Sequence, residues 1–213
     1  MKKELAGLRQ EYAGATFDES HAHPHPFIQF GKWFDQAMQS HIPEPNAMTL
    51  STSDAGGRPH ARVVLLKALD ERGFVFFTNY QSNKAKELAL NPYASLVFLW
   101  LQLQRQVRVE GRVEMVSEAE SEAYFLSRPR QSQLGALASP QSQIIPNRQY
   151  LEDRLWQLEK EYSGKPIERP AYWGGFRLIP ERVEFWQGRQ SRLHDRLLYE
   201  LSEKHWTIKR LAP

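Results

Sequence analysis

A short stretch near the carboxyl end of the chain carries the residues best suited to chemistry. Arg192, His194 and Arg196 occupy every second position. If the backbone there is extended, their side chains project from one face, because side chains alternate along a strand. Neighbouring cationic groups repel one another unless anionic groups lie among them. The spacing therefore indicates either an anion-binding face or a solvated edge strand whose charges are balanced by Asp195 and Glu200.

Two further sets of basic residues lie in the first half of the chain. Arg62 and Lys67 bracket four apolar residues, and strict alternation would put these two cations on opposite faces of a strand. They either extend past buried surface to solvent, or they reach one shared ligand through a bulge, a twist or a ligand that wraps around the strand. Ser82 and Lys84 stand at the start of a predicted helix, where free amide groups, the helix dipole and a lysine form an anion site. A simple N-cap explains the serine equally well.

A fourth set consists of Tyr124, Arg128 and Ser132, which follow one another at four-residue intervals. A phenol, a guanidinium and a hydroxyl are all hydrogen-bond donors, and together they suit a phosphate group. The alternative is a helix carboxyl end whose dipole is complemented by basic residues.

The composition limits the classes of protein to consider. The 213 residues are 41% hydrophobic and include no cysteine, which predicts a substantial core and excludes disulfides and thiolate chemistry. No apolar run approaches the roughly 20 residues that span a bilayer, and the amino end lacks a signal-peptide pattern, so we expect a cytoplasmic protein without membrane association. The net charge of +3 is spread along the chain, which argues against nucleic acid. No metal site is predicted, because the alternating histidines over 21–25 lie in a proline-rich connector without a nearby carboxylate pair.

The periodicity of apolar residues predicts the elements that position these sets. Residues 27–42 have the spacing of an amphipathic helix. Turn residues separate runs over 47–53, 61–69 and 74–79, predicted as a three-stranded antiparallel meander. Further strands are predicted over 93–103, 105–116, 175–179, 182–187, 194–201 and 206–211, and further helices from residue 82, over 118–127 after a capping box, and over 148–162.

The order of these elements predicts a mainly β chain with flanking helices, in the α+β class. Successive strands without helical crossovers favour an antiparallel barrel over a parallel α/β sheet. We predict a flexible segment over residues 1–26 and a single domain over residues 27–213. On the strand over 105–116, alternate residues are predicted to face the core: Val107, Val109, Gly111, Val113 and Met115.

The segment E-F-W-Q-x-x-x-x-R-L-H-D-R, from Glu184 to Arg196, resembles the signature of the pyridoxine/pyridoxamine 5′-phosphate oxidase family. Other motifs support the resemblance in one order along the chain: R-V-V-L-L-K from Arg62, F-F-T-N from Phe76, R-Q-V from Arg105, S-R-P-R-x-S from Ser127, Q-S from Gln141, Y-W-G-G-F from Tyr172 and R-L-A-P from Arg210. The resemblance extends from about Trp33 to Pro213, and chance does not produce so many separated agreements.

The resemblance implies an antiparallel split β-barrel that binds FMN and works as a homodimer with two flavin sites at the subunit interface. The implied reaction is oxidation of pyridoxamine or pyridoxine 5′-phosphate to pyridoxal 5′-phosphate, with O2 as electron acceptor and H2O2 as product. The nearest alternative is a split-barrel flavoprotein with another substrate. A basic barrel that binds RNA or DNA is a more distant alternative.

The motifs also imply roles for individual residues. FMN contacts are expected from Arg62, Val63, Val64, Leu65, Leu66, Lys67, Phe77, Thr78, Asn83, Lys84, Gln106, Gln141, Ser142, Trp186 and Arg196. Substrate contacts are expected from Arg9, Tyr12, Lys67, Tyr124, Arg128, Ser132, Arg192, Leu193 and His194, of which Arg192 and His194 are the expected catalytic residues. Two residues depart from the family pattern: Asn83 stands where an arginine is usual, and Phe77 where a tyrosine is common.

Overall fold

The computed structural model describes Gly7 and residues 11–213, which form five α-helices, nine strands and two short 3-10 turns. The helices are α1 (Pro26–Gln39), α2 (Asn83–Leu90), α3 (Glu118–Ser127), α4 (Arg130–Ala138) and α5 (Arg148–Glu161). The strands are β1 (Ala47–Ser53), β2 (Pro59–Leu65), β3 (Ala68–Leu69), β4 (Phe74–Asn79), β5 (Tyr93–Trp100), β6 (Arg105–Met115), β7 (Trp173–Gln187), β8 (Asp195–Ser202) and β9 (His205–Arg210).

The strands join in one sheet with the order β2-β1-β5-β6-β7-β4-β3, and β8 pairs with β7 and β9. The pairs of β4 with β3 and β7, and of β8 with β7 and β9, are antiparallel, as predicted. The two strands predicted over 175–187 are one strand, β7, which pairs with β4 before Pro180 and with β8 after it. The change of partner falls where proline provides no amide donor for a ladder.

Two compact units divide the chain, one formed by residues up to 49, 95–110 and 180–213, the other by residues 50–94 and 111–179. The strands β1, β5, β6 and β7 contribute residues to both units. The single domain over 27–213 remains a prediction. Among the described residues, no helix combines the length and apolar character that crossing a membrane requires.

Aromatic packing fills the core of the first unit. α1 buries Phe30 and Trp33, whose rings meet Phe98 at 4.9 Å and Phe185 at 5.2 Å between centroids. Aromatic pairs at such distances add to the stability that burial of their area provides. In the second unit, α3 and α4 pack around a smaller core of buried residues, which are Phe125, Leu134, Ile167 and Trp173.

Local sequence signals account for most of the element boundaries. The capping box between Ser117 and Glu120 forms as predicted, and α3 begins directly after Ser117. The inward alternation of β6 is confirmed from Val107 to Val113 but wrong for Met115, which is 58% exposed at the end of the strand. The helix α4 was not predicted, since it follows Pro129 and buries too few apolar residues to produce a clear period.

The predicted meander is wrong in its middle strand, which breaks at residues 66–67. The part before the break, β2, lies beside β1, whereas the part after it, β3, pairs with β4. Lys67 lies in the break, where its backbone amide donates to the carbonyl of Val75 at 2.8 Å. The two halves therefore pair with different strands, which local sequence periodicity does not reveal.

Candidate functional site

A cavity of about 450 Å³ lies in the second unit. Its lining comes from β2, the break after β2, β4, α2, the corner between α3 and α4, the segment after α4 and the start of β7. The lining residues are Arg62, Val63, Val64, Leu65, Lys67, Phe77, Thr78, Lys84, Tyr124, Arg128, Pro129, Ser132, Gln141 and Trp173. All of these except Pro129 and Trp173 are site residues predicted from the sequence. The structure therefore brings together motifs that lie far apart along the chain.

Lys84, the second residue of α2, is the buried cation of this cavity. Its Nζ donates to Thr78 Oγ1 at 3.1 Å, Ser82 Oγ at 3.2 Å and Gln141 Oε1 at 3.1 Å. Ser82 is the N-cap residue of α2 but makes no side-chain bond to the helix, so a simple N-cap does not account for its hydroxyl, and the anion site stays a prediction. Burial, reinforced by the nearby charge of Arg62, lowers the pKa of Lys84 to about 8. An anion in the cavity would favour the charged form again.

A carboxylate behind the cavity fixes the orientation of Arg62. The Nη2 atom of Arg62 lies 3.1 Å from Glu87 Oε2, and its Nη1 donates to Thr52 Oγ1 at 2.5 Å. The Thr52 hydroxyl in turn donates to Glu87. This network offsets one positive charge and immobilises the guanidinium, which reduces the entropy that a ligand must remove on binding.

The break after β2 explains how Arg62 and Lys67 line one cavity. Strict alternation places these residues on opposite faces of a continuous strand, but β2 ends at Leu65. Beyond that residue the period of two no longer applies. The break thus brings Arg62 and Lys67 to one cavity, as a bulge in the strand would also do.

The corner between α3 and α4 presents Arg128 to the cavity. Its guanidinium carbon lies 4.5 Å from the centroid of the Trp173 ring, a cation–π distance. The buried Nη1 atom of Arg128 has no hydrogen-bond partner among the described residues. The side-chain amide of Gln133 donates to the carbonyls of Phe125, Leu126 and Arg128, and so holds the corner. An unpaired buried donor is costly, and it fits an anionic ligand such as a phosphate.

Three stacked aromatic rings form an apolar part of the lining. The Phe77 ring lies 3.9 Å from the Tyr124 ring and 5.7 Å from the Trp173 ring, with interplanar angles of 19° and 12°. Close packing behind Phe77 requires Gly175, since a Cβ there would lie 2.8 Å from the ring. A cavity with cationic groups and an aromatic wall is suited to flat ring systems that carry phosphate.

A second cluster, in the first unit, contains Trp186 and His194, with ring centroids 4.6 Å apart. Tyr12 packs edge-on against both rings, and the Arg192 guanidinium lies 5.8 Å from the Tyr12 ring. The backbone amide of Arg189 donates to Nδ1 of His194 at 3.0 Å. Burial, together with the charge of Arg192, lowers the pKa of His194. Both effects favour the neutral form of the ring.

The prediction that Arg192, His194 and Arg196 share one face of a strand is wrong in its premise. Arg192 ends a 3-10 turn with φ 63°, and extended backbone begins only at Asp195. Arg196 does lie on β8, but its Nε atom pairs with Glu184 at 2.7 Å, rather than with either of the carboxylates that the sequence suggested.

Comparison with known protein families shows to which family the chain belongs. Residues 34–160 match the family described as pyridoxamine 5′-phosphate oxidase, and residues 173–213 match the pyridoxine 5′-phosphate oxidase C-terminal dimerisation region. This chain belongs to the pyridoxine/pyridoxamine 5′-phosphate oxidase family. The family resemblance and the prediction of an oxidoreductase are thereby confirmed, and membership of this family supports a flavin cofactor.

Individual relatives agree over the full length. The pyridoxine/pyridoxamine 5′-phosphate oxidases of Nostoc sp. (strain PCC 7120) and Synechocystis sp. (strain PCC 6803) are 56% and 57% identical, over 100% and 98% of both chains. The structure of PhzG from Burkholderia lata 383 with tetrahydrophenazine-1-carboxylic acid superposes with a TM-score of 0.89 at 29% identity, covering 94% of this chain and 99% of that one. A related FMN-binding protein of Nostoc punctiforme has a TM-score of 0.72 at 18% identity, covering 89% and 98%, which confirms the split-barrel fold.

The remaining predicted site residues do not line the cavity. Three of them belong to the second unit: Leu66 is buried, Asn83 is exposed at the first position of α2, and Ser142 follows α4 with φ 69°. Arg9 lies outside the described residues. The others belong to the first unit and are Tyr12, Gln106, Trp186, Arg192, Leu193, His194 and Arg196. Sequence reasoning missed the lining residues Pro129 and Trp173, although Trp173 lies inside the Y-W-G-G-F motif.

Proposed function

We propose that this protein oxidises pyridoxamine 5′-phosphate and pyridoxine 5′-phosphate to pyridoxal 5′-phosphate, with FMN as cofactor, O2 as electron acceptor and H2O2 as product. The observation that carries the proposal is a single cavity that collects cations from two places in the fold. Arg62 and Lys84 come from β2 and α2, whereas Arg128 comes from the corner between α3 and α4. Two phosphorylated ring compounds, a cofactor and a substrate, require such a double set of anion-binding groups.

The corner between α3 and α4 is assigned to the substrate. The unpartnered Nη1 of Arg128 supplies a charged donor, and Tyr124 and Ser132 add neutral hydroxyl donors beside it. Lys67 adds a second charge from the break after β2. A 5′-phosphate held at several points orients the pyridine ring, and fixed orientation contributes strongly to catalytic rate.

The set around Lys84 is assigned to the cofactor phosphate. Lys84 and Arg62 supply charge, while Thr78 and Gln141 supply polar side chains at the same place. These residues would hold FMN, which would supply the redox chemistry of the proposed reaction, in which the substrate is oxidised at C4′ and O2 is reduced to H2O2. With the amine substrate, water then releases ammonia. The role of the chain is to bind and orient both ring systems.

We assign Arg192 and His194 to the substrate ring and propose a homodimer in which a partner chain completes the site. Gln106, Trp186 and Arg196 are expected at the flavin but line no part of the cavity, and residues 173–213 match a dimerisation region. Both observations support a site built by two chains. Sedimentation of the flavin-loaded protein as a monomer would contradict the assignment.

One assay tests the reaction directly. The purified protein is mixed with FMN and pyridoxamine 5′-phosphate in air, and pyridoxal 5′-phosphate and H2O2 are measured together. We expect the two products in equal amounts, and we expect Arg128→Ala to raise KM by roughly tenfold or more, since a charged hydrogen bond is lost. If the protein binds FMN but yields neither product, its substrate is a different compound. The similarity to PhzG makes tetrahydrophenazine-1-carboxylic acid the first alternative to test.

The affinity for FMN is expected to fall as the pH rises through about 8. The pKa of Lys84, lowered to about 8 by burial and by Arg62, makes the ligand-free lysine lose its proton there, whereas a bound phosphate favours the ammonium. Above that pH, binding must take up a proton, so Kd rises by up to about tenfold per pH unit. Titrations followed by flavin fluorescence across this range measure the slope.

Riboflavin is the matched ligand for this titration, because it has the same ring system without the phosphate. Its affinity should stay nearly constant over the same pH range. Lys84→Gln should weaken FMN binding near pH 7 and flatten the dependence. A slope that persists unchanged in Lys84→Gln would assign the titration to another group.

A further inference from the structure

We propose that Arg189 is a positioning residue that joins the amino-terminal segment to His194. Its side chain, together with Asp195, anchors residues 14–17, and its backbone amide fixes the tautomer of the His194 ring. The inference rests on the proposed function in one respect, since it assumes that His194 acts on the substrate ring. The contacts of Arg189 itself do not depend on that assumption.

The backbone contact determines what His194 can offer a ligand. The Arg189 amide donates to Nδ1 at 3.0 Å, so Nδ1 is an acceptor and the neutral ring carries its proton on Nε2. Protonation of the ring would require Nδ1 to give up this bond, and burial and the charge of Arg192 also lower the pKa of His194. His194 therefore presents an N–H donor, and its neutral form has no free nitrogen lone pair to act as a base.

The side chain of Arg189 contacts the amino-terminal segment and Asp195. Its Nη1 donates to Thr16 Oγ1 at 2.7 Å and to the carbonyl of Gly14 at 3.4 Å, and its Nε lies 3.7 Å from Asp195 Oδ2. The same Asp195 oxygen accepts from the amide of Phe17 at 3.1 Å. One guanidinium and one carboxylate thus hold residues 14–17 by three hydrogen bonds, supported by an ion pair.

Close packing at Gly14 makes this anchor specific. A Cβ at position 14 would lie 2.2 Å from Nε2 of Gln187 and 2.5 Å from the carbonyl oxygen of Gly188, so the segment lies directly against the residues before Arg189. Tyr12, two residues earlier, contacts the His194 ring at 5.5 Å between centroids. Loss of the Arg189 side chain should therefore release Tyr12 and leave His194 less restrained.

The test compares Arg189→Ala, Arg189→Lys and Thr16→Val with the native holoenzyme, with Gln190→Ala as a matched control because Gln190 is the next residue and is exposed. For Arg189→Ala we expect KM for pyridoxamine 5′-phosphate to rise about tenfold, with a smaller change in kcat and an unchanged flavin content. Arg189→Lys keeps the positive charge and should therefore raise KM less than Arg189→Ala does. Thr16→Val should add little when combined with Arg189→Ala, since both remove the same bond.

Limited digestion with chymotrypsin supplies a readout that does not require turnover. Cleavage after Tyr12 and Phe17 should accelerate in Arg189→Ala and Thr16→Val but not in Gln190→Ala. If cleavage and KM are both unchanged in Arg189→Ala, the anchor is wrong. If cleavage accelerates while even the native protein does not oxidise the substrate, the anchor stands and the proposed function fails.

The tautomer is tested separately by nitrogen-15 NMR of the native protein, with His194→Gln used to assign the signal. We expect the shift pattern of a ring protonated at Nε2. A ring protonated at Nδ1 near neutral pH would overturn the backbone half of the proposal.

Discussion

Replacement of His194 by alanine is expected to lower kcat/KM about 100-fold while leaving the flavin content unchanged, because the proposed function places this ring at the reacting centre. The ring is held by the Arg189 amide at 3.0 Å and packs on Trp186 at 4.6 Å, so its Nε2–H donor is fixed before substrate arrives. Arg192→Ala should have an effect of similar size. Steady-state rates at saturating FMN, with the ratio of flavin to protein absorbance, measure both quantities.

Gln190→Ala again serves as the control, because this exposed residue lies in the same 3-10 turn as Arg192. It should retain nearly native rates. If His194→Ala or Arg192→Ala is purified without flavin, yet regains full activity when FMN is restored, the residue acts on the cofactor rather than on the substrate.

Arg177→Ala is expected to lower the free energy of unfolding by about 2 kcal/mol, because it removes a buried guanidinium that pairs with partly exposed carboxylates. The side chain is 1% exposed, and its Nη2 lies 2.7 Å from both Asp70 Oδ2 and Glu120 Oε1. Without the guanidinium, the three carboxylates of Asp70, Glu114 and Glu120 lose a shared cationic partner. The midpoint of urea unfolding, with the slope compared between variants, measures the change.

Arg72 provides the matched control for this measurement. It approaches the carboxylates of Asp70 and Glu120, at 3.8 Å in each case, but its side chain is 55% exposed. Exposed pairs contribute about 0 to 1 kcal/mol, so Arg72→Ala should have little effect. Equal losses from the two variants would mean that charge balance, rather than burial, determines the contribution of Arg177.

Local signals in the sequence were sufficient where a structure depends on near neighbours. The capping box at Ser117 placed the start of α3 correctly, and turn residues placed β1 and β4. The break after β2 depends on which strands lie beside it, and strand pairing is decided by tertiary context rather than by the period of one segment. The positive φ angles of Ser191 and Arg192 could not be predicted either, because neither residue type signals a left-handed conformation.

The candidate site likewise combines residues that the sequence predicted with contacts that it did not. Family motifs predicted most of the residues that line the cavity, because those motifs hold the side chains themselves. They did not reveal that Arg128 leaves one nitrogen unpaired, that Glu87 holds Arg62, or that Ser82 bonds Lys84 instead of its helix. These contacts join side chains whose geometry is set by packing, which spacing along the chain does not encode.

The three oxygen atoms around Lys84 have a consequence for the order in which the holoenzyme assembles. Thr78, Ser82 and Gln141 satisfy the ammonium from within the chain, so the buried charge does not need the cofactor in order to be tolerated during folding. The protein can fold first and load flavin afterwards, as a preorganised receptor rather than a chain that folds around its ligand. Protein made without flavin should then be folded already and should take up the cofactor when it is added.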